Sequence, residues 1–211
     1  MSVFKHELKT LFIILLATIT SLVFLTYRNN RIDSRIFSAL PDSLAPTPTI
    51  IIPGPIQTEL MDSPDGTRTL TMERQQIKDN FKHSFFTSIK PEETKKLIFT
   101  KEGALSQNLS IPYNTWSPDN IYVFIKEATP TVNNYYVFFT SGSSFSDSSQ
   151  YLNIQSLFAE KVSNYTILDV TGWAAPNLLI VNSKKNQSEK KVSFWFDVSN
   201  QSFLLLGTYF Y

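Results

Sequence analysis

The 211-residue chain contains no cysteine, so neither disulfides nor thiolate metal sites contribute and the fold must hold by packing alone. Histidine occurs only as His6 and His83. His83 falls in Phe81–Phe86, an expected strand, where a lone histidine serves structure or surface. There is no G-x-S-x-G nucleophile elbow, and the serines of Ser141–Ser149 read as a solvated loop rather than as nucleophiles. Asp62 and Asp65 lack the D-x-D-x-D-G spacing of a calcium loop, and turn aspartates usually cap their own backbone. Glu92-Glu93 and Glu102 are isolated acids. A net charge of +1 with 18% charged residues gives no field suited to nucleic acid. No enzymatic activity, cofactor or metal is therefore expected.

What is present begins with Leu11–Tyr27 (LFIILLATITSLVFLTY), an uncharged and overwhelmingly apolar run. At about 1.5 Å per residue it would span about 26 Å as a helix, close to the hydrocarbon thickness of a bilayer. A cleaved signal peptide would need small residues just beyond the apolar core, and Thr26 to Arg31 offer none. A buried core helix would be amphipathic, whereas this run is apolar on all sides. The expectation is an uncleaved signal anchor at 11–27 after a short tail at 1–10. Lys5, Lys9 and the terminal amine before the run nearly balance Arg28, Arg31 and Arg35 after it, so charge does not fix orientation. A short tail and a large C-terminal region suit an extracytoplasmic C-terminal domain.

Residues 28–57 read as a linker, with prolines at 41, 46, 48, 53 and 55 and no helical period. Proline fixes φ and removes amide donors, giving an extended spacer, although a loop packed on the domain remains open. From 58 to 211 the chain reads as β. The expected strands are Thr67–Met72, Ser84–Ile89, Lys96–Thr100, Ile121–Ile125, Tyr135–Thr140, Ser156–Ala159, Tyr165–Val170, Leu178–Val181, Val192–Val198 and Ser202–Tyr209. Ile121–Ile125 and Tyr135–Phe139 are apolar on both faces, which suits strands buried on both sides.

A repeat organises these runs. Ser63-Pro64-Asp65-Gly66, Trp116-Ser117-Pro118-Asp119-Asn120 and Trp173-Ala174-Ala175-Pro176-Asn177 each precede an apolar strand, with the prolines 54 and 58 positions apart. Proline presets φ at the second turn position, and Gly or Asn at the fourth accepts positive φ. The spacing is near the length of a four-stranded propeller blade. W-S-P-D-N/G before an apolar strand resembles the repeat of TolB-type, WD-like β-propellers of bacterial envelope proteins. The middle copy matches best. The first has Met61-Asp62 where the tryptophan would stand, and the third is a residue longer and lacks the aspartate. Over roughly residues 58–211 the resemblance implies an all-β domain of about three antiparallel, blade-like meanders, and the apolar run at 11–27 places it behind an N-terminal transmembrane helix. Closed rings need at least four blades, leaving an open stack or half of a ring completed by a second chain.

Two surface features suggest binding. Lys184–Lys191 places four lysines at a hairpin tip, either attracting anionic polymers or headgroups or serving as charged gatekeepers. Tyr113, Trp116, Tyr135, Tyr136, Trp195, Tyr209 and Tyr211 are core or cross-strand residues unless some cluster on one surface. The sequons at Asn108, Asn164, Asn186 and Asn200 are no more than chance supplies. The function expected is a membrane-tethered protein-interaction module with a protein partner or weak self-association through its N-terminal β flank. A glycan- or small-ligand-binding module is the alternative.

Overall fold

The computed structural model describes residues 53–92 and 94–207. The chain divides into Met1–Ile50 and Ile51–Tyr211. The expected anchor Leu11–Tyr27, most of the proline-rich linker, and Tyr209 and Tyr211 lie outside the described residues.

The described part is twelve strands and one short helix. The first sheet is β1 (Gln57–Asp62), β2 (Arg68–Ile77), β3 (Asn80–Ile89) and β4 (Lys96–Ala104). The middle sheet is β5 (Asn108–Ser110), β6 (Tyr122–Ala128), β7 (Asn133–Phe139) and β8 (Leu152–Asn153). The third is β9 (Tyr165–Ala175), β10 (Leu178–Lys185), β11 (Lys191–Asp197) and β12 (Ser202–Leu205). Each is a four-stranded antiparallel meander with its strands in chain order. No helix among the described residues is long and apolar enough to cross a membrane.

The middle sheet is buried on both faces. Val123, Ile125, Tyr136 and Phe138 pack with Leu70, Met72, Phe85, Ile98 and Phe99 of the first sheet. Phe124, Tyr135 and Val137 pack with Leu179, Val181, Phe194 and Phe196 of the third. This explains why β6 and β7 are apolar at successive positions, since both sides of the pleat meet a neighbouring sheet. Ile121, at 46% exposed, stands outside that pattern.

Ser156–Ala159, expected as a strand, lies instead in a helix, α1 (Ile154–Lys161). The Asn153 side chain caps it by accepting from Ser156 N at 3.1 Å. Ile154 and Phe158, four residues apart, share the face that enters the core. A short apolar run fits either period, and the cap decides. Thr67–Met72, expected at the free flank, falls from Arg68 onward in β2, an interior strand; β1 takes the edge. β1, β5 and β8 were not expected because they are short or polar. β12 stops at Leu205, short of the expected Ser202–Tyr209.

Candidate functional site

The first two turns match bond for bond. Ser63 Oγ donates to Asp65 Oδ1 and Ser117 Oγ to Asp119 Oδ1, both at 2.7 Å. Arg68 N donates to Ser63 Oγ and Tyr122 N to Ser117 Oγ, both at 2.9 Å. Gly66 (φ 71°) and Asn120 (φ 58°) occupy the left-handed fourth position. Pro64 and Pro118 sit at the second position. The Ser63 hydroxyl first, then Thr67, holds the Asp65 carboxyl down at about 2.

The third turn departs from this pattern. β9 runs through Trp173 to Ala175, so Pro176 and Asn177 alone connect it to β10, without the serine–aspartate lock. Asn177 Nδ2 donates instead to Asp197 Oδ1 at 3.1 Å.

Strand pairing aligns all three repeats. Asp62 faces Thr69, Trp116 faces Val123 and Trp173 faces Leu179. The two tryptophans thus occupy one repeat position, held by Asp62 in the first sheet. Each indole N–H crosses to the preceding sheet: Trp116 Nε1 donates to Met61 O at 3.1 Å and Trp173 Nε1 to Thr115 O at 3.0 Å. Met61 and Thr115 each stand one residue before that position, so the same cross-sheet bond is made twice.

Around these bonds lies an open crevice of about 600 Å³, lined in part by Met61, Asp62, Tyr113, Trp116, Gly172 and Trp173. Its polar groups are largely engaged within the fold. Asp62 accepts from Thr69 Oγ1 at 2.6 Å and pairs with Lys90 at 2.8 Å. Asn114 Nδ2 donates to Thr171 O at 3.2 Å. Gly172, at φ 140°, lets Asn114 approach to 2.8 Å from where a Cβ would stand. Trp116 is buried, whereas Tyr113 is 86% exposed at the rim.

At the far end of the same sheet interface, Arg74, His83 and Lys101 form one register row across β2, β3 and β4. They face Glu127 on β6. Glu127 is 1% exposed and receives the Tyr136 hydroxyl at 2.6 Å and Asn134 Nδ2 at 2.9 Å, with Lys101 Nζ 2.6 Å from its other oxygen. Burial alone would raise the Glu127 pKa, but these donors outweigh it and hold the carboxyl below its ordinary range. Burial, reinforced by Arg74 and opposed by Glu127, pushes the wholly buried His83 down to about 4. The buried carboxylate, paired with Lys101, links the first and middle sheets. Sequence reasoning missed this row because its members are scattered over three strands.

The remaining sequence candidates disperse. The Lys184–Lys191 tip is the β10–β11 turn, where Lys184 pairs with Glu189 at 2.8 Å. Tyr135 and Tyr136 lie on opposite faces of the buried β7; Tyr135 donates to Asp169 at 2.7 Å, and burial first, then Asp169, raises its pKa. Trp195 is half-buried on the outer face of the third sheet, in register with Ile180 and Leu204. Among the described residues no group of three or more His, Asp or Glu side chains is placed to hold a metal ion. Searches of protein-family models and of curated proteins find no match to this chain.

Proposed function

We infer that the chain is a membrane-anchored, extracytoplasmic interaction module. Leu11–Tyr27 anchors it, residues 28–57 space it from the headgroups, and the β stack presents its faces to a protein partner. The three meanders are blades of an incomplete TolB-type propeller, a reading supported by the two matched turns and the repeated tryptophan bond. The observation that carries the interaction reading is the outer face of the third sheet. There Ile180, which also borders the crevice shared with Met61 and Asp62, forms with Trp195 and Leu204 an apolar row that belongs to neither core cluster. Such a row on a sheet face marks a contact surface. Crosslinking with mass spectrometry in the native membrane tests the reading. Crosslinks from the third sheet to a protein support it, and a face that crosslinks only to solvent-borne quencher removes it.

The crevice beside Trp116 and Trp173 supports a second reading, binding of a glycan or other small ligand, because its volume falls in the range of ligand pockets. Its engaged polar groups place this reading second. Titration with neutral and acidic oligosaccharides, read by tryptophan fluorescence in wild type and Tyr113→Ala, discriminates. A saturable change lost in the variant favours the ligand.

A further inference from the structure

The repeat alignment lets each face be compared with its counterparts. Thr69–Ser88, Val123–Phe138 and Leu179–Phe196 are the same cross-strand pair in successive sheets, as are Thr71–Phe86, Ile125–Tyr136 and Val181–Phe194. These pairs line the face turned toward the preceding sheet. On the opposite face, Leu70–Thr87, Phe124–Val137 and Ile180–Trp195 correspond. Leu70 packs toward the middle sheet, and Phe124 and Val137 pack toward the third. The third member of that series, Ile180–Trp195, extended by Leu204, keeps its apolar character outside both core clusters, with Ile180 at the border of the crevice that Met61 and Asp62 also line.

The first sheet is a poor occupant for that face. Where the middle and third sheets present Val123–Phe138 and Leu179–Phe196, it presents Thr69 and Ser88. Where they present an indole donor, it presents Asp62, a carboxylate already paired with Lys90. A head-to-tail ring would set the Ile180–Trp195 pair against Thr69 and Ser88 and lack the cross-sheet bond, leaving only the neighbouring Leu60, Phe86 and Leu97 of that face as apolar contacts.

The apolar face is complementary to itself. Lys184 and Lys191 are register partners at one end, and Leu178 and Asp197 at the other. A two-fold axis lying between two such faces and running across the strands lays each strand over its own counterpart in reverse. Lys191 then meets Asp197 of the partner subunit, twice, and the Ile180–Trp195–Leu204 rows close the middle. An axis along the strands would instead set lysine on lysine. We propose that the outer face of the third sheet is the isologous interface of a homodimer, in which the two copies pack face to face across this axis.

The proposal rests on the interaction reading above and names its partner as a second copy. Four strands about 4.8 Å apart and about seven residues long give a face of roughly 400 Å² per copy. That is below the roughly 800 Å² per partner of a standard interface, so the dimer is a reversible one. Confinement to a membrane surface would raise its occupancy through effective concentration.

The absence of cysteine makes the test direct. Ser193→Cys, beside the axis, and Ser84→Cys, on the outer face of the first sheet, are introduced separately into the full chain in detergent. A short bismaleimide should join Ser193→Cys chains to each other but not Ser84→Cys chains. Trp195→Glu in the Ser193→Cys background should cut the yield about tenfold with an unchanged circular dichroism spectrum. Crosslinking of Ser193→Cys to Ser84→Cys in a mixture would overturn the two-fold arrangement in favour of head-to-tail packing. A Ser193→Cys chain that captures another protein in native membranes but never itself would overturn the homodimer and leave the interaction reading intact. Failure of both would remove the two together.

Discussion

The indole N–H of Trp173 donates to the carbonyl of Thr115 at 3.0 Å, and Trp116 makes the equivalent bond to Met61 one repeat earlier. Each tryptophan therefore fastens its meander to the backbone of the one before. Trp173→Phe keeps most of the ring and removes one of the two hydrogen bonds to the Thr115 carbonyl, which still accepts from Phe124 N at 3.0 Å, for an expected loss of about 1 kcal/mol. Trp116→Ala also opens a cavity and should lose about 3–5 kcal/mol. Urea melts followed by circular dichroism measure both, and equal midpoints for the two variants would refute the bond's separate contribution.

The sequence showed the meanders where chemistry is local. A Ser-Pro-Asp-Gly or Ser-Pro-Asp-Asn turn carries its own hydrogen bonds, so Ser63–Gly66 and Ser117–Asn120 could be read directly. Two-sided apolar strands betrayed the middle sheet. What escaped depends on pairing at a distance. β5 and β8 have two or three residues each and are strands only because β6 and β7 accept them. The Arg74–His83–Lys101 row exists only in register, and no spacing in the chain announces Glu127 opposite it.

Asn120 tests the turn itself. It holds φ 58° and is buried, with its carbonyl accepting from Thr140 Oγ1 at 2.8 Å. Asn120→Ala should lose about 1–2 kcal/mol because a Cβ without a compensating side chain resists that backbone. Asn120→Gly should lose less. Thermal melts that rank the two in reverse would sink the conformational explanation.

His83 makes stability sensitive to acid. Its native pKa, about 4, lies below the ordinary value of 6.5, so the unfolded chain takes up the proton first. Stability is therefore fully present above about pH 6.5 and declines as pH falls from there toward 4. Arg74 and Lys101 on its own sheet oppose protonation and Glu127 across the interface favours it. The depressed Glu127 acts in the same direction, below its own ordinary range. Melting midpoints between pH 7.5 and 5 should fall for wild type and stay nearly level for His83→Phe.

The pair across the sheets gives a double-mutant test. Lys101→Met strands the Glu127 carboxylate and should lose about 2–4 kcal/mol, less than a fully buried pair because the Lys101 side chain is 31% exposed. Lys101→Met with Glu127→Leu should recover part of that loss. A double variant no better than the single one would show that the hydrogen bonds of Tyr136 and Asn134, rather than charge, set the stability.

The proposed anchor is tested by Leu16→Arg, which should weaken insertion of Leu11–Tyr27 by about 3 kcal/mol. Carbonate extraction of cell membranes reads the result. Unchanged retention in the membrane pellet would count against a spanning helix.

Asp62 and the Thr69–Ser88 pair also give the stack a polarity with a stop. A protein assembled from near-identical layers risks growing without limit, because any layer's leading face can accept another molecule's first layer, and a screw operation that does not close produces fibres. Here the trailing face carries Thr69 and Ser88 where the internal junctions carry apolar pairs, and a carboxylate where the fastening donor would be, although Leu60, Phe86 and Leu97 lie in its next row. Mismatch at that one junction makes end-to-end accretion unfavourable while leaving the internal junctions untouched. Asp62, Thr69 and Ser88 thus set the free face of the first layer apart from the faces that make the internal junctions.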